Sequence, residues 1–374
     1  MASENPFRPS FGSSPPVLAG RGAVLDALAE ALDDGPSHPD FTSLLVGTRG
    51  TGKTSTLNAI QQQADERGWP VIAENAHGDL CDRLTEATLS AIRAEQSAST
   101  RPRISGFGAL GISVQLGHER GEAESHGKPR WRKVVTELAS HLKAHGRGVL
   151  VTLDELQGGH LAELREMAST LQHVTRREEL PVALVAAGLP SVDDVVLQDL
   201  AITFLQRCSR HEISELPAAA AATALSQPIR ARGGRIAEEA LHSAVAHSGG
   251  YPFMLQLIGY HAWRAASTNP VRVTVADMEY GIAQAQRRLP QLVLEPLWRA
   301  LSDVDRQFAL AMTLDHAESS VADLATRLGR STSYLSTYRT RLIRAGFIQP
   351  AGRGRVRFTH PSTRDWLNSL DGPD

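Results

Sequence analysis

Eight consecutive residues, from Gly47 to Thr54, have the types and spacing of a loop that binds phosphate. The glycines let the backbone curl so that amides face phosphate oxygens, and the helix predicted to follow adds its N-terminal dipole. Lys53 is expected to bridge the phosphates, and Thr54 to offer its hydroxyl to Mg²⁺. A glycine-rich turn without a ligand is the alternative, but a strand is predicted directly before the motif. The predicted phosphate-binding residues are Gly47, Thr48, Arg49, Gly50, Thr51, Gly52, Lys53 and Thr54.

Two carboxylates, Asp154 and Glu155, come directly after the stretch 149–153, Val-Leu-Val-Thr-Leu, which is predicted to be a buried strand. A buried strand that ends beside a phosphate loop can place one carboxylate on Mg²⁺, through water, and a second where it polarises an attacking water. We assign the first role to Asp154 and the second to Glu155. Strands also end in acidic residues for solvation alone, and it is the phosphate loop that favours the paired role here.

The elements that must position these residues alternate between strand and helix, which predicts a parallel sheet. Stretches 149–151 and 182–185 are apolar throughout, as strands covered on both faces are. We predict strands at 42–46, 71–74, 148–153 and 182–187, and helices at 24–32, 54–66, 80–94, 131–144 and 160–174. After about residue 212 helices alone are predicted, at 218–225, 236–247, 252–266 and 275–287. This pattern predicts an α/β fold over residues 17–212, with a P-loop NTPase core, and an all-helical lid over 213–290.

Two segments have patterns unlike those of the α/β core and the helical lid. Residues 1–16 contain four prolines and are predicted to form an extended lead-in without a core of its own. Residues 98–130 form a polar, glycine-rich insert with one alternating stretch, 112–116, which is either a short hairpin or a loop.

The last segment, residues 291–374, has the layout of a winged helix-turn-helix. A helix from Ser302 and a second from Ser320 precede a third, 331–345, with Tyr334, Leu335, Tyr338 and Leu342 predicted to face inward. Two strands, 347–348 and 356–358, are joined by a glycine-rich turn and form the predicted wing.

The same segment is strongly basic, which is expected of a face that binds DNA. Residues 320–364 contain nine arginines and a single acidic residue, Asp323. The alternative is a winged helix that docks on protein, with its arginines against an acidic core. The residues predicted to contact DNA are Ser333, Thr337, Arg339, Thr340, Arg344, Arg353, Arg355 and Arg357.

With these motifs the chain resembles P-loop ATPases of the AAA+ and STAND group, nearest to the origin-recognition-like and archaeal-type ATPases with a C-terminal winged helix. The resemblance covers roughly residues 16–363. It implies that residues 17–21, including Gly20 and Arg21, line the adenine side. It also implies that Pro252, in the sequence Gly-Gly-Tyr-Pro, touches the nucleotide from the lid, although this sequence equally fits a helix stop and restart.

The resemblance further places Arg207 where the family keeps an arginine finger, and a solvated helix end is the alternative. Two departures point to slow hydrolysis. Residues 185–188, Val-Ala-Ala-Gly, offer no polar sensor side chain, and the lid has proline where relatives often have a sensor arginine. An arginine finger acting on a neighbouring copy would require a homo-oligomer.

The composition excludes several other classes of protein. The formal net charge is −2, and 41% hydrophobic residues exclude collagen-like and fully disordered chains. No apolar run is long enough to cross a membrane and no signal peptide is apparent, so we expect a cytoplasmic protein. Cys81 and Cys208 have no CxxC spacing and are predicted to be packing residues.

The sequence thus predicts a switch that binds ATP with Mg²⁺, hydrolyses it slowly and contacts DNA, or a regulatory ATPase whose winged helix contacts a partner protein.

Overall fold

The computed structural model describes residues 4–10, 12–99, 130–266, 270–360 and 362–370. A five-stranded parallel sheet forms its first half, in the order β2-β3-β4-β1-β5. Because the strands are parallel, their carboxyl ends meet at one edge, where the phosphate loop follows β1 and the two carboxylates end β3. The strands are β1 (Thr42–Val46), β2 (Val71–Asn75), β3 (Val149–Asp154), β4 (Val182–Gly188) and β5 (Ser209–Glu212).

Helices cover both faces of the sheet, as the apolar β3 and β4 require. Leu28 of α1 and Ile60 of α2 pack on one face, and Leu138 of α4 and Met167 of α5 belong to the cluster on the other. The predicted parallel sheet is therefore confirmed. The helices of this half are α1 (Gly22–Asp34), α2 (Lys53–Glu66), α3 (Leu80–Ser99), α4 (Trp131–Lys143), α5 (Leu161–Arg176), α6 (Val192–Val195) and α7 (Thr203–Gln206).

Strand β5 was missed from the sequence because its four residues, Ser-Arg-His-Glu, are polar. It lies at the edge of the sheet, where it pairs with β1 alone and alternates between half-buried and exposed residues. An edge strand needs no continuous apolar run, so this one carries no hydrophobic signal.

A helical region follows, which we call the lid. Phe7 of the N-terminal segment is buried in its core, packed on Gly259, where a Cβ atom would lie 2.5 Å from the Phe7 ring. The lead-in is therefore tied to the lid, also by the Arg8 amide, which donates to Gln256 Oε1 at 3.1 Å. The lid consists of α8 (Ala218–Ala231), β6 (Arg235–Ile236), α9 (Glu238–Ser248), α10 (Pro252–Ala265), β7 (Arg272–Val273) and α11 (Val275–Leu289), and a π-helical turn (Pro290–Leu294) continues it into α12 (Glu295–Arg299).

The C-terminal elements form a winged helix, as predicted. Ser331 caps α15 by accepting from the Tyr334 amide, and Leu335 and Leu342 are buried. A third short strand, β8, pairs with the wing. The prediction that Tyr334 faces inward is wrong, since 39% of Tyr334 is exposed. The elements are α13 (Asp303–Met312), β8 (Ser319–Ser320), α14 (Val321–Leu328), α15 (Thr332–Arg344), β9 (Ile348–Pro350), β10 (Arg355–Phe358) and α16 (Thr363–Leu370).

The predicted hairpin or loop at 112–116 lies outside the described residues. Among the residues that are described, none of the helices combines the length and the apolar character needed to span a bilayer.

Candidate functional site

The phosphate loop is a curled backbone held together by its own lysine. Gly50 and Gly52 have φ angles of +76° and +99°, which L-residues rarely adopt. Lys53 is 7% exposed, and its Nζ donates to the carbonyl oxygens of Gly47 and Thr48 at 2.9 Å each. Burial lowers the pKa of Lys53 to about 8, against the opposing charges of the nearby carboxylates. Lys53 therefore stabilises the curled form of the loop.

Asp154, the last residue of β3, bonds the first turn of α2 across the sheet edge, and Glu155 follows it. Thr54 Oγ1 donates to Asp154 Oδ2 at 2.6 Å, and the Glu155 amide donates to Asp154 Oδ1 at 2.8 Å. Glu155 itself has a φ of +54°, an uncommon left-handed conformation that turns the chain sharply after the strand. Hydroxyl and carboxylate oxygens are the ligands that Mg²⁺ prefers next to phosphates, so Thr54 and Asp154 fit this ion.

A cleft of about 190 Å³ opens beside the loop. The chain preceding α1 and the start of α10 form its other walls, so the structure brings Arg21 and Pro252 to the same cleft as Lys53 and Thr54. Gly20 does not line the cleft. It has a φ of +70°, and a Cβ atom there would lie 2.8 Å from Ala220 Cβ, so it permits close packing on α8.

Arg21 is buried and ties three segments together. Its Nη2 donates to the Thr51 carbonyl at 3.1 Å and to the Ser214 carbonyl. Burial lowers the pKa of this guanidinium from its ordinary value. Arg21 therefore holds the chain before α1 against the phosphate loop.

Tyr251 was not identified as a site residue from the sequence, yet it contacts the phosphate loop directly. Its hydroxyl donates to the Arg49 carbonyl at 2.9 Å, and a Cβ atom on Gly50 would lie 2.1 Å from the hydroxyl oxygen. Burial raises the pKa of the phenol, which keeps it a donor. The only signal for Tyr251 was its place before Pro252 at the start of a predicted helix.

The winged helix also reaches the phosphate loop. The ring of His360 lies 4.8 Å from that of Tyr251, edge to face. Gly346, at the end of α15, approaches Arg49 on the loop, and both line a small cavity with Thr48 and His360. Burial lowers the pKa of His360 to about 4, so the ring is neutral, and its Nδ1 accepts from the Ser362 amide at 3.1 Å.

Arg207 lies away from this edge. It is exposed and precedes β5, at the amino end of the sheet, whereas the phosphate loop is at the carboxyl end. Its neighbour Arg210 is paired with Asp193. Within one chain the structure does not bring Arg207 to the loop.

The residues predicted to contact DNA lie on α15 and the wing. Ser333, Thr337 and Arg344 are exposed on the helix, and Arg353, Arg355 and Arg357 are exposed on the wing, whereas Arg339 and Thr340 are half-buried.

Part of the positive charge of the winged helix is paired with acidic residues that precede residue 320. Arg341 contacts the buried Asp305 at 2.8 Å, and Arg355 lies 3.7 Å from Glu318. Arg327 is paired with Asp315 at 2.5 Å. The net positive charge of this face is therefore smaller than a count over 320–364 indicates.

Comparisons with known proteins agree with this geometry. Residues 17–185 match the family model "AAA ATPase domain", and residues 291–367 match a domain of unknown function (DUF8462). No significant match is found among curated proteins.

Among solved structures, the Walker-type ATPase PABY2304 of Pyrococcus abyssi is similar, with a TM-score of 0.67 and 16% identity over 94% of this chain and 96% of that one. The ORC2 protein of Aeropyrum pernix, in ADPNP and ADP complexes, has a TM-score of 0.59 and 14% identity over 97% and 95% of the two chains. At these identities the likeness concerns the fold. Residues 17–185 are therefore similar to an AAA ATPase domain, within a P-loop fold that continues into a helical lid and a winged helix.

Proposed function

We propose that this protein is a nucleotide-dependent switch that binds ATP with Mg²⁺, hydrolyses it slowly, and couples its nucleotide state to DNA binding by the winged helix. One observation carries the proposal: Tyr251 bonds the phosphate loop through its hydroxyl and contacts His360 of the winged helix through its ring. A ligand that moves the loop must therefore also change the contact between Tyr251 and His360 of the winged helix.

The residues proposed to bind phosphate are those of the loop 47–54. Amides from Gly50 to Thr54 and the Lys53 ammonium are placed at the start of α2, where the helix dipole also favours anions. Lys53 donates to two loop carbonyls, and phosphate oxygens would take their place as acceptors. The bound nucleotides named for the similar ORC2 structure support ATP as the ligand.

Thr54 and Asp154 are the residues that we propose to hold Mg²⁺. The ion would neutralise phosphate charge when bound. Glu155 lines the cleft and is proposed to take a proton from the attacking water. Since the end of β4 carries no polar side chain, hydrolysis is expected to be slow.

The adenine side of the cleft is proposed to lie between the chain before α1 and the lid. Val17, Leu18 and Phe253 supply apolar surface there, with Pro252 at the start of α10. Apolar walls with few polar groups suit a purine ring. Gly20 and Arg21 support this wall by packing and hydrogen bonding, which gives them a positioning role.

For DNA we propose α15 as the element in the major groove and the wing as a phosphate contact. Arg344, Arg353 and Arg357 are exposed and form no ion pair among the described residues. With the half-buried Arg339 they make four cationic contacts. Four neutralised phosphates give a slope of about −3.6 for log K against log salt.

A salt titration tests this function. Fluorescence anisotropy of a labelled duplex, recorded from low to physiological salt, should give tight binding with a slope of about −3.6. A variant with Arg353→Ala and Arg357→Ala should lower the slope magnitude by about 1.8, since two contacts are lost. Absence of binding to any duplex at low salt contradicts the proposal.

A second function, a regulatory ATPase whose winged helix docks on protein, is favoured by one surface feature. Tyr334 and Tyr338 stack on α15 with their hydroxyls 3.0 Å apart, and Arg330 and Arg341 lie over their rings. Tyrosine and arginine are the residue types that dominate protein interfaces. Loss of duplex binding with retained ATP binding would select this function.

Arg207, in either case, is proposed to act on a neighbouring copy.

A further inference from the structure

The side-chain amide of Gln157 connects the ends of two neighbouring strands, β3 and β4. Its Nε2 donates to Glu155 Oε2, and its Oε1 accepts from the Leu189 amide at 2.9 Å. An amide with a partner at each end is fixed in one orientation. The Glu155 carboxylate, at the end of β3, is thereby tied to the chain just beyond β4.

This bridge ends beside the phosphate loop. Gly188, the last residue of β4, pairs in register with Val46, and its carbonyl accepts from the Gly47 amide at 3.2 Å. Leu189 is the next residue. The hydrogen bonds therefore run from Glu155 through Gln157 to a backbone that contacts the first residue of the loop.

The bridge also fills the space of the missing side chain on β4. A Cβ atom on Gly188 would lie 3.2 Å from Gln157 Oε1 and 3.4 Å from Val192 Cβ. A side chain at Gly188 would therefore require the Gln157 amide to shift by a few tenths of an ångström. The Gln157 amide, from the turn after β3, therefore lies directly against the end of β4.

We propose that Gln157 is a positioning residue, which holds Glu155 for its reaction with water. Glu155 Oε1 makes no hydrogen bond to the residues that the structure describes, so it remains available to a water in the cleft. The inference rests on the proposed function, because it presupposes that Glu155 accepts a proton during ATP hydrolysis.

Two variants separate the two ends of the amide. Gln157→Ala removes both hydrogen bonds, whereas Gln157→Glu keeps the acceptor for Leu189 and replaces the donor with a carboxylate that repels Glu155. Gln198 is exposed and bonds Asp194 with the same amide group, so Gln198→Ala and Gln198→Glu are matched controls.

Three quantities are measured: kcat for ATP hydrolysis, affinity for a fluorescent ATP analogue, and hydrogen exchange of the Leu189 amide. Both Gln157 variants should lose about 10- to 100-fold in kcat, the effect of a misplaced reacting group, with affinity nearly unchanged. Leu189 exchange should become faster in Gln157→Ala and stay slow in Gln157→Glu. The Gln198 variants should match the wild type in all three.

A wild-type kcat in either Gln157 variant overturns the inference. Unchanged Leu189 exchange in Gln157→Ala refutes the bridge itself. If the wild-type protein binds ATP but releases no phosphate, the proposed hydrolysis fails, whereas the exchange measurement still tests the bridge.

Discussion

Lys53 combines deep burial with a charge, and both matter for its role. Replacement by methionine keeps the stem and removes an ammonium whose pKa burial lowers to about 8, so the fold should tolerate the change. We expect Lys53→Met to lose at least about 100-fold in ATP affinity, since charge-assisted hydrogen bonds to phosphate contribute about 1.5–3 kcal/mol each. Calorimetric titration measures this, with the exposed Lys133→Met as control. Unchanged affinity would refute the phosphate site.

Glu155 should be needed for turnover and not for binding. Glu155→Gln keeps the shape of the side chain but cannot accept a proton, and a lost general base typically costs 10²- to 10⁴-fold. We expect kcat for phosphate release to fall by about 100-fold or more while ATP remains bound. The exposed Glu239→Gln serves as the control. Undiminished phosphate release by Glu155→Gln would remove the assigned role.

Residues within one motif could be predicted because local spacing decides their placement. Gly47 to Thr54, and Asp154 with Glu155, are each continuous in the chain, so a strand and a turn suffice to orient them. Tyr251 reaches Arg49 across 202 positions, and Gln157 reaches Leu189 across 32. Such contacts depend on the packing of lid, sheet and loop, which no periodicity in the sequence reports.

At the scale of elements, the long helices and apolar strands could be predicted from the hydrophobic pattern of the sequence. Polar or exposed elements could not. β1 begins and ends where predicted, because an apolar run is bounded by a glycine motif. β5 was missed, since pairing at the sheet edge determines it and hydrophobicity does not. Tyr334 shows the reverse error: its spacing fits the buried face of α15, but its ring packs beside that of Tyr338 and remains 39% exposed.

The contact between His360 and Tyr251 predicts a pH dependence. Burial holds the folded pKa of His360 at about 4, below its ordinary 6.5, so the unfolded chain binds a proton first as pH falls. The contribution of His360 to the free energy of unfolding is fully present above pH 6.5 and is lost as the pH falls from about 6.5 to 4. The loss amounts to roughly 3 kcal/mol, from the conversion of about 1.4 kcal/mol per pKa unit.

Denaturant unfolding between pH 4 and 7 checks this prediction. His360→Phe keeps an aromatic ring against Tyr251 but cannot be protonated, so its stability should fall less steeply than that of the wild type. His242→Phe, at an exposed position, should leave the wild-type slope unchanged. Equal slopes for wild type and His360→Phe would contradict the buried neutral histidine.

At the scale of the whole molecule, one buried cluster runs from the lid into the winged helix. It includes Leu294 and Leu301 before α13 together with Phe308, Phe347 and Trp366. A winged helix that shares its core with the lid is held at one position relative to the phosphate loop. The sequence predicted both parts, but their shared core and the contact with the loop arise only from tertiary packing. The coupling that we propose between the two sites uses that arrangement.

The most direct test of this coupling is the affinity for a DNA duplex with and without a non-hydrolysable ATP analogue and Mg²⁺, at one fixed salt concentration. We predict that the analogue changes the Kd of the wild-type protein by about 5-fold or more, in the range of ordinary allosteric coupling. It should leave the Kd of Lys53→Met unchanged. A wild-type Kd that is the same in both conditions, while calorimetry shows the analogue bound, would contradict the account.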